Sequence, residues 1–175
     1  FEKGDFLNSE KNLKESLQLF RDISSKANEC EALYYLSKKY FYNNEADKAI
    51  STLHLMIDIC NDSDDLNNLA KAYLLLSKSL YLAKNISKSH SIINKAIEVC
   101  EKIKNQFLEQ EANIFKSYLE SQLDNNFSLG AFSKLNKDLD SKNQAFFYFL
   151  KWRISKTEGD LEKAKNLFNQ LYKTK

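Results

Sequence analysis

Lys38, Lys78, Glu120 and Arg153 recur at matching places in successive segments of this chain, and three of the four are cationic. Tyr34, Tyr35, Phe41 and Tyr42 flank the first of them, Leu74 and Tyr81 flank the second, and Lys71 and Lys116 add positive charge nearby. Ammonium and guanidinium groups beside tyrosine rings suit a carboxylate-bearing segment, because the cations attract it and the rings give contact area at low entropy cost. The expected chemistry is therefore recognition of an acidic peptide. The plainer reading, that these lysines are ordinary solvated helix residues, stands against it with equal weight.

Catalytic chemistry finds less material. His54 and His90 are the only histidines and occupy different places in their segments, so they are not expected to converge on a substrate or metal. Cys30, Cys60 and Cys100 are odd in number, lie far apart and form no CxxC pair, so they read as reduced, partly buried thiols of a cytoplasmic protein. No GxSxG, HExxH, P-loop or GxGxxG string occurs. The acidic run Asp62-Ser63-Asp64-Asp65 lacks the Gly and terminal Glu of a calcium loop and is expected to cap a helix. The chain is thus expected to be non-enzymatic, with no cofactor and no metal.

The elements that must position these residues are helices. The 175 residues include no Pro and only 3 Gly, which removes the punctuation of hairpin-rich β folds. With Ala49 as an anchor, Leu33, Leu36 and Tyr40 precede it and Leu53 and Met56 follow at helical intervals; with Ser89, the same ruler lands on Tyr73, Leu76, Leu80, Ile93 and Ala96. Weaker matches place anchors at Ser16 (with Phe20 and Ile23), Ala131 (with Phe115, Tyr118 and Leu135) and Ala164 (with Tyr148, Phe168 and Leu171). Gly4 and Leu7 would end a first helix before the Ser16 segment. The five anchors lie 33, 40, 42 and 33 residues apart. Polar joints at Asn43-Asn44-Glu45, Lys84-Asn85, Asn125-Asn126 and Glu158-Gly159-Asp160 would turn the chain between paired helices. Leu33, Leu36 and Tyr40 then belong to the core, while Tyr34, Phe41 and Tyr42 face a groove.

The segments "LYYLSKKYFYNNEADKAISTLHLM", "YLLLSKSLYLAKNISKSHSIINKA" and "GDLEKAKNLF" resemble the tetratricopeptide repeat family, in its longer-repeat form from bacterial signalling and regulatory proteins. The small first-helix position of that family is Ser37 and Ser77 in the two best repeats but Leu119 and Trp152 later, and the family's proline after the second helix is absent. The resemblance implies an all-α chain, a right-handed superhelix of antiparallel helix hairpins, with four to five repeats forming a single domain over 1–175. It also implies a concave surface made by the first helices that receives a peptide or a partner's helix. The alternating Lys and Asn clamp by which some members hold a C-terminal carboxylate is not reproduced here.

Function is accordingly expected to be that of a protein or peptide interaction scaffold, the sensory or assembly module of a bacterial regulator. Two alternatives are a structural spacer or oligomerisation unit, self-associating through Phe1, Phe6 and Leu7 or through Leu167, Leu171 and Tyr172, and the ligand-responsive part of a transcriptional regulator whose DNA-binding domain lies elsewhere. A net charge of +2 is too small and the cations too sparse for direct nucleic-acid binding. No apolar run reaches the roughly 20 residues of a bilayer span, so no membrane insertion is expected. Because the sequence starts at Phe1, it is expected to be a piece of a longer protein.

Overall fold

The computed structural model describes residues 3–124 and 126–173, with side chains from Glu10 onward apart from Tyr172. Phe1, Asn125 and the side chains of Phe6, Leu7 and Tyr172 lie outside the described residues. Among the described residues there is helix and no strand. The chain divides into two compact units, 1–103 and 104–175, and within each unit consecutive helices pack on one another in the manner of an α-solenoid-like helical repeat.

The first unit contains α1 (Lys3–Asp22), α2 (Lys26–Tyr42), α3 (Ala46–Asp62), α4 (Leu66–Leu82) and α5 (Ile86–Ile103). Each packs on the next, and α2 also packs on α4. Positive φ recurs at Ser24, Asn44, Asp64, Lys84 and Lys104, a period of 20 residues. At the first four, the next residue's N–H reaches back to the carbonyl of the last helical turn: Ser25 to Phe20, Glu45 to Tyr40, Asp65 to Cys60 and Asn85 to Leu80. This is the Schellman stop, which satisfies carbonyls that the helix itself leaves open. Here Ser, Asn, Asp and Lys adopt the left-handed conformation that Gly would adopt more cheaply.

Small residues set the closeness of each helix pair. Ala49 is fully buried, and Leu36 and Tyr40 pack on it with Leu13 and Phe41 against the same cluster. In the next hairpin Ser77 Oγ donates to the Ser89 carbonyl at 2.7 Å and Ser89 Oγ donates to the Ser77 carbonyl at 2.7 Å. Two buried hydroxyls thus satisfy each other's backbone at the α4/α5 crossing, and larger side chains would force the helices apart.

The 20-residue period corrects the reading of α1. Gly4 and Leu7 fall inside one continuous helix rather than ending a separate one, and Ile23 is 68% exposed. Counting back 40 residues from Leu53 and Ile57 gives Leu13, which packs on the α2/α3 core, and Leu17, which is buried. The Ser16 anchor was displaced by seven residues, almost two helical turns, so it selected the same face at the wrong height.

The second unit contains α6 (Gln106–Leu123), α7 (Leu129–Ser133), a 3-10 turn (Lys134–Asn136), α8 (Ser141–Ser155) and α9 (Glu158–Lys173). Here the expected hairpin about Ala131 does not form: its second helix is five residues long and Ala131 is exposed. Asn136, Asp138 and Asp140 follow it, residues whose side chains compete for backbone groups; Asp138 takes positive φ and Asp140 caps α8 by accepting from the Asn143 N–H at 2.9 Å. Phe132, one residue past the expected anchor, is fully buried and stacks on Phe147 with centroids 5.0 Å apart. On α8 the stripe is likewise shifted by one, with Phe147 and Leu150 buried and Tyr148 only half-buried. The last joint is Lys156-Thr157, and Gly159 lies inside α9.

Candidate functional site

Helix α2 buries Leu33, Leu36 and Tyr40 together with Cys30, Ala32, Ser37 and Lys39, and leaves Tyr34, Tyr35, Lys38, Phe41 and Tyr42 half-buried or exposed. Tyr34 is half-buried and Tyr35 is 49% exposed, their rings meeting edge-on with centroids 5.8 Å apart. The Lys38 ammonium lies 5.5 Å from the Tyr34 centroid and 5.8 Å from that of Tyr35, a cation held against two ring faces. One turn on, Phe41 is half-buried against the core and Tyr42 is 67% exposed.

On α4 the equivalent places are 40 residues later. Lys78 and Tyr81 are both half-buried, as Lys38 and Phe41 are. Leu74, the counterpart of Tyr34, is buried and is part of the core. Lys71 Nζ donates to Asn68 Oδ1 at 3.2 Å, and Asn68 in turn donates through Nδ2 to Asp65, the residue that caps α4. The α2 and α4 residues belong to one compact unit whose α2 and α4 pack together.

In the second unit Lys116 and Glu120 are half-buried on α6, and Arg153 is exposed on α8 with its guanidinium 5.6 Å from the ring centroid of the buried Tyr118. Glu120 puts a negative charge where the other segments carry a positive one. Lys156 lies 5.5 Å from the Trp152 centroid and takes positive φ as it ends α8.

Two constellations escaped the sequence reading. Glu10 on α1 accepts from Lys39 Nζ at 2.7 Å, from Tyr40 Oη at 3.0 Å and from Lys14 Nζ at 2.8 Å. The hydrogen bonds from Lys14 and Lys39 hold its carboxyl down to about 2, with Tyr40 adding to them against the opposing effect of burial. Tyr40 also receives the Lys48 ammonium 5.5 Å from its centroid, and Lys48 pairs with Glu45. Second, Cys30 Sγ and Cys60 Sγ lie 3.3 Å apart, both fully buried. Burial pushes both thiols up. Nothing in the sequence joins Glu10 to Lys39, because only the folding of α1 onto α2 brings them together. The cysteines are different: one opens a first helix and the other closes its partner, a pattern that does place them at the same end of a hairpin.

His54 is exposed and His90 half-buried, on different helices. Among the described residues no group of three or more His, Cys, Asp or Glu gathers as for a metal, and no helix is long and apolar enough to cross a membrane. The chain matches no protein-family model and has no significant match among curated proteins.

Proposed function

We propose that this chain is a non-catalytic interaction module of tetratricopeptide-like architecture, its hairpins set in a right-handed superhelix, and that the α2/α4 face receives an acidic peptide segment. The observation that carries this reading is the match between Lys38 and Lys78. Both are half-buried at equivalent turns of helices that pack together, and each is followed one turn later by a half-buried aromatic, Phe41 or Tyr81. A cation whose stem is partly covered by rings keeps its charge at the surface while losing less rotamer freedom when it engages a carboxylate. Tyr34, Tyr35 and Tyr42 lie within about one turn of Lys38 on α2 and Lys71 lies two turns before Lys78 on α4, while Lys116 and Arg153 are cations on α6 and α8 of the second unit.

The test is an array of immobilised peptides rich in Asp and Glu, matched in aromatic content to arrays rich in Lys and Arg. The acidic set is expected to retain the protein in a salt-sensitive way, and the double substitution Lys38→Glu/Lys78→Glu to weaken retention at least about tenfold with helical circular dichroism unchanged. Equal retention of both peptide sets, or a variant that binds acidic peptides as well as the parent, would remove the α2/α4 face from consideration.

Self-association is the second reading, favoured by Leu19 and Ile23, one turn apart at the end of α1 and 62% and 68% exposed. A mass that rises with concentration, and no longer rises in Leu19→Asp, is the result it requires.

A further inference from the structure

We propose that Cys30 and Cys60 are a disulfide-forming pair that closes the open end of the α2/α3 hairpin when the protein meets hydrogen peroxide. Cys30 lies in the first turns of α2 and Cys60 near the end of α3, so the pair sits opposite the Asn43-Asn44 turn. A covalent link there would tie the hairpin at both ends. The two Sγ atoms are already 3.3 Å apart and need approach only to about 2.05 Å. Their exclusiveness is the second observation. In the α4/α5 hairpin the place equivalent to Cys60 is Cys100, but the place equivalent to Cys30 is Ala70, so the arrangement occurs in one hairpin of the first unit and has a built-in control in the other.

The chemistry balances in two steps. A thiolate sulfur attacks one peroxide oxygen and the O–O bond breaks, giving a sulfenic acid and, after protonation, one molecule of water. The second thiol then attacks that sulfur, the S–S bond forms, and the hydroxyl leaves with a proton as a second water. Both sulfurs are oxidised, the two peroxide oxygens are reduced, and a thiol reductant reverses the change. Burial keeps both groups as thiols at neutral pH, so reaction waits for the hairpin end to open. The pair is therefore a slow latch that responds to sustained oxidant. Its consequence falls on α2, the helix that carries Tyr34, Tyr35 and Lys38, yet the proposal stands independently of peptide binding.

The full chain is incubated with hydrogen peroxide, in buffer and in sub-denaturing urea, alkylated, digested without reductant and mapped by mass spectrometry. The expected product is an intramolecular Cys30–Cys60 cross-link with Cys100 alkylated, formed faster in urea, present in Cys100→Ser and absent in Cys30→Ala. The cross-linked protein is expected to melt about 10 °C higher than the reduced form, since the bond closes a loop of about 30 residues. Random pairing that includes Cys100, intermolecular dimers, over-oxidation to sulfinic acid, or no cross-link in either condition would overturn it. Urea separates a pair that is merely shielded from one that is not matched, so a protected but correctly placed pair still reports itself.

Discussion

Glu10 accepts from Lys14, Lys39 and Tyr40, and the energetics of this contact follow from where its partners sit. Lys14 is largely exposed, so its bond to Glu10 is screened by water, whereas Lys39 is buried and has few other places to put its charge. The Glu10–Lys39–Tyr40 contact therefore fixes α1 to α2. The carboxyl is held at about 2 in the folded state against an ordinary 4.5. A depressed carboxylate contributes stability that is fully present above pH 4.5 and is lost as pH falls from there towards 2, because the unfolded chain takes up the proton first. Glu10→Gln is expected to cost about 1–2 kcal/mol at neutral pH and to make the decline in stability below pH 4.5 shallower than in the parent. Urea midpoints measured across that range test it; parallel curves for the two proteins would mean that Glu10 carries no linkage. Lys39 engages Glu10, and its neighbour Lys38 lies against the Tyr34 and Tyr35 rings.

At the scale of elements, the first unit is metrically regular and the second is not. Helices α2, α3 and α4, each of 17 residues, and three-residue joints give the 20-residue period, and two such steps give the 40-residue spacing between Ala49 and Ser89. That interval was legible because both hairpins put a small residue at the crossing and large ones at helical intervals around it. The second unit was not legible in the same way. Phe132 carries the burial from a five-residue helix, which is too short to show a period, and Ala131 beside it imitates an anchor. These two adjacent residues separate the readings by experiment. Phe132→Ala is expected to cost about 3–5 kcal/mol by leaving a cavity against Phe147, and Ala131→Leu to change stability by less than about 0.5 kcal/mol. Were Ala131→Leu the damaging one, a full hairpin about Ala131 would have to be restored. The burial of Leu33, Leu36 and Tyr40 on α2 was anticipated by their spacing, whereas that of Leu74, whose counterpart Tyr34 is half-buried, was not.

Across the whole chain, burial is distributed unevenly within each unit, and local stability should follow it. Helix α4 buries nine of its 17 residues and packs on three other helices, so opening it removes most of the first unit's core at once. At the margin of that unit α1 buries only Leu17 among its described side chains, and it depends on Glu10 and on the packing of Leu13. In the second unit α8 buries Asn143, Ala145, Phe147 and Leu150, while α9 buries only Asp160 and Ala164 among its described side chains. In stacked helical hairpins each helix gains its stability from nearest neighbours, so a helix with a neighbour on one side opens at lower free energy than one held on several. Native-state hydrogen exchange on the intact chain is therefore expected to show α4 amides exchanging at least about tenfold more slowly than those of α1, and α8 more slowly than α9. This ordering bears on recognition, because an acidic segment laid on the α2/α4 face would press against the most rigid helix of the unit and needs little ordering beyond its own. If α1 amides persisted as long as those of α4, the first unit would open as a single block, and the view of its helices as neighbours that add stability stepwise would fail.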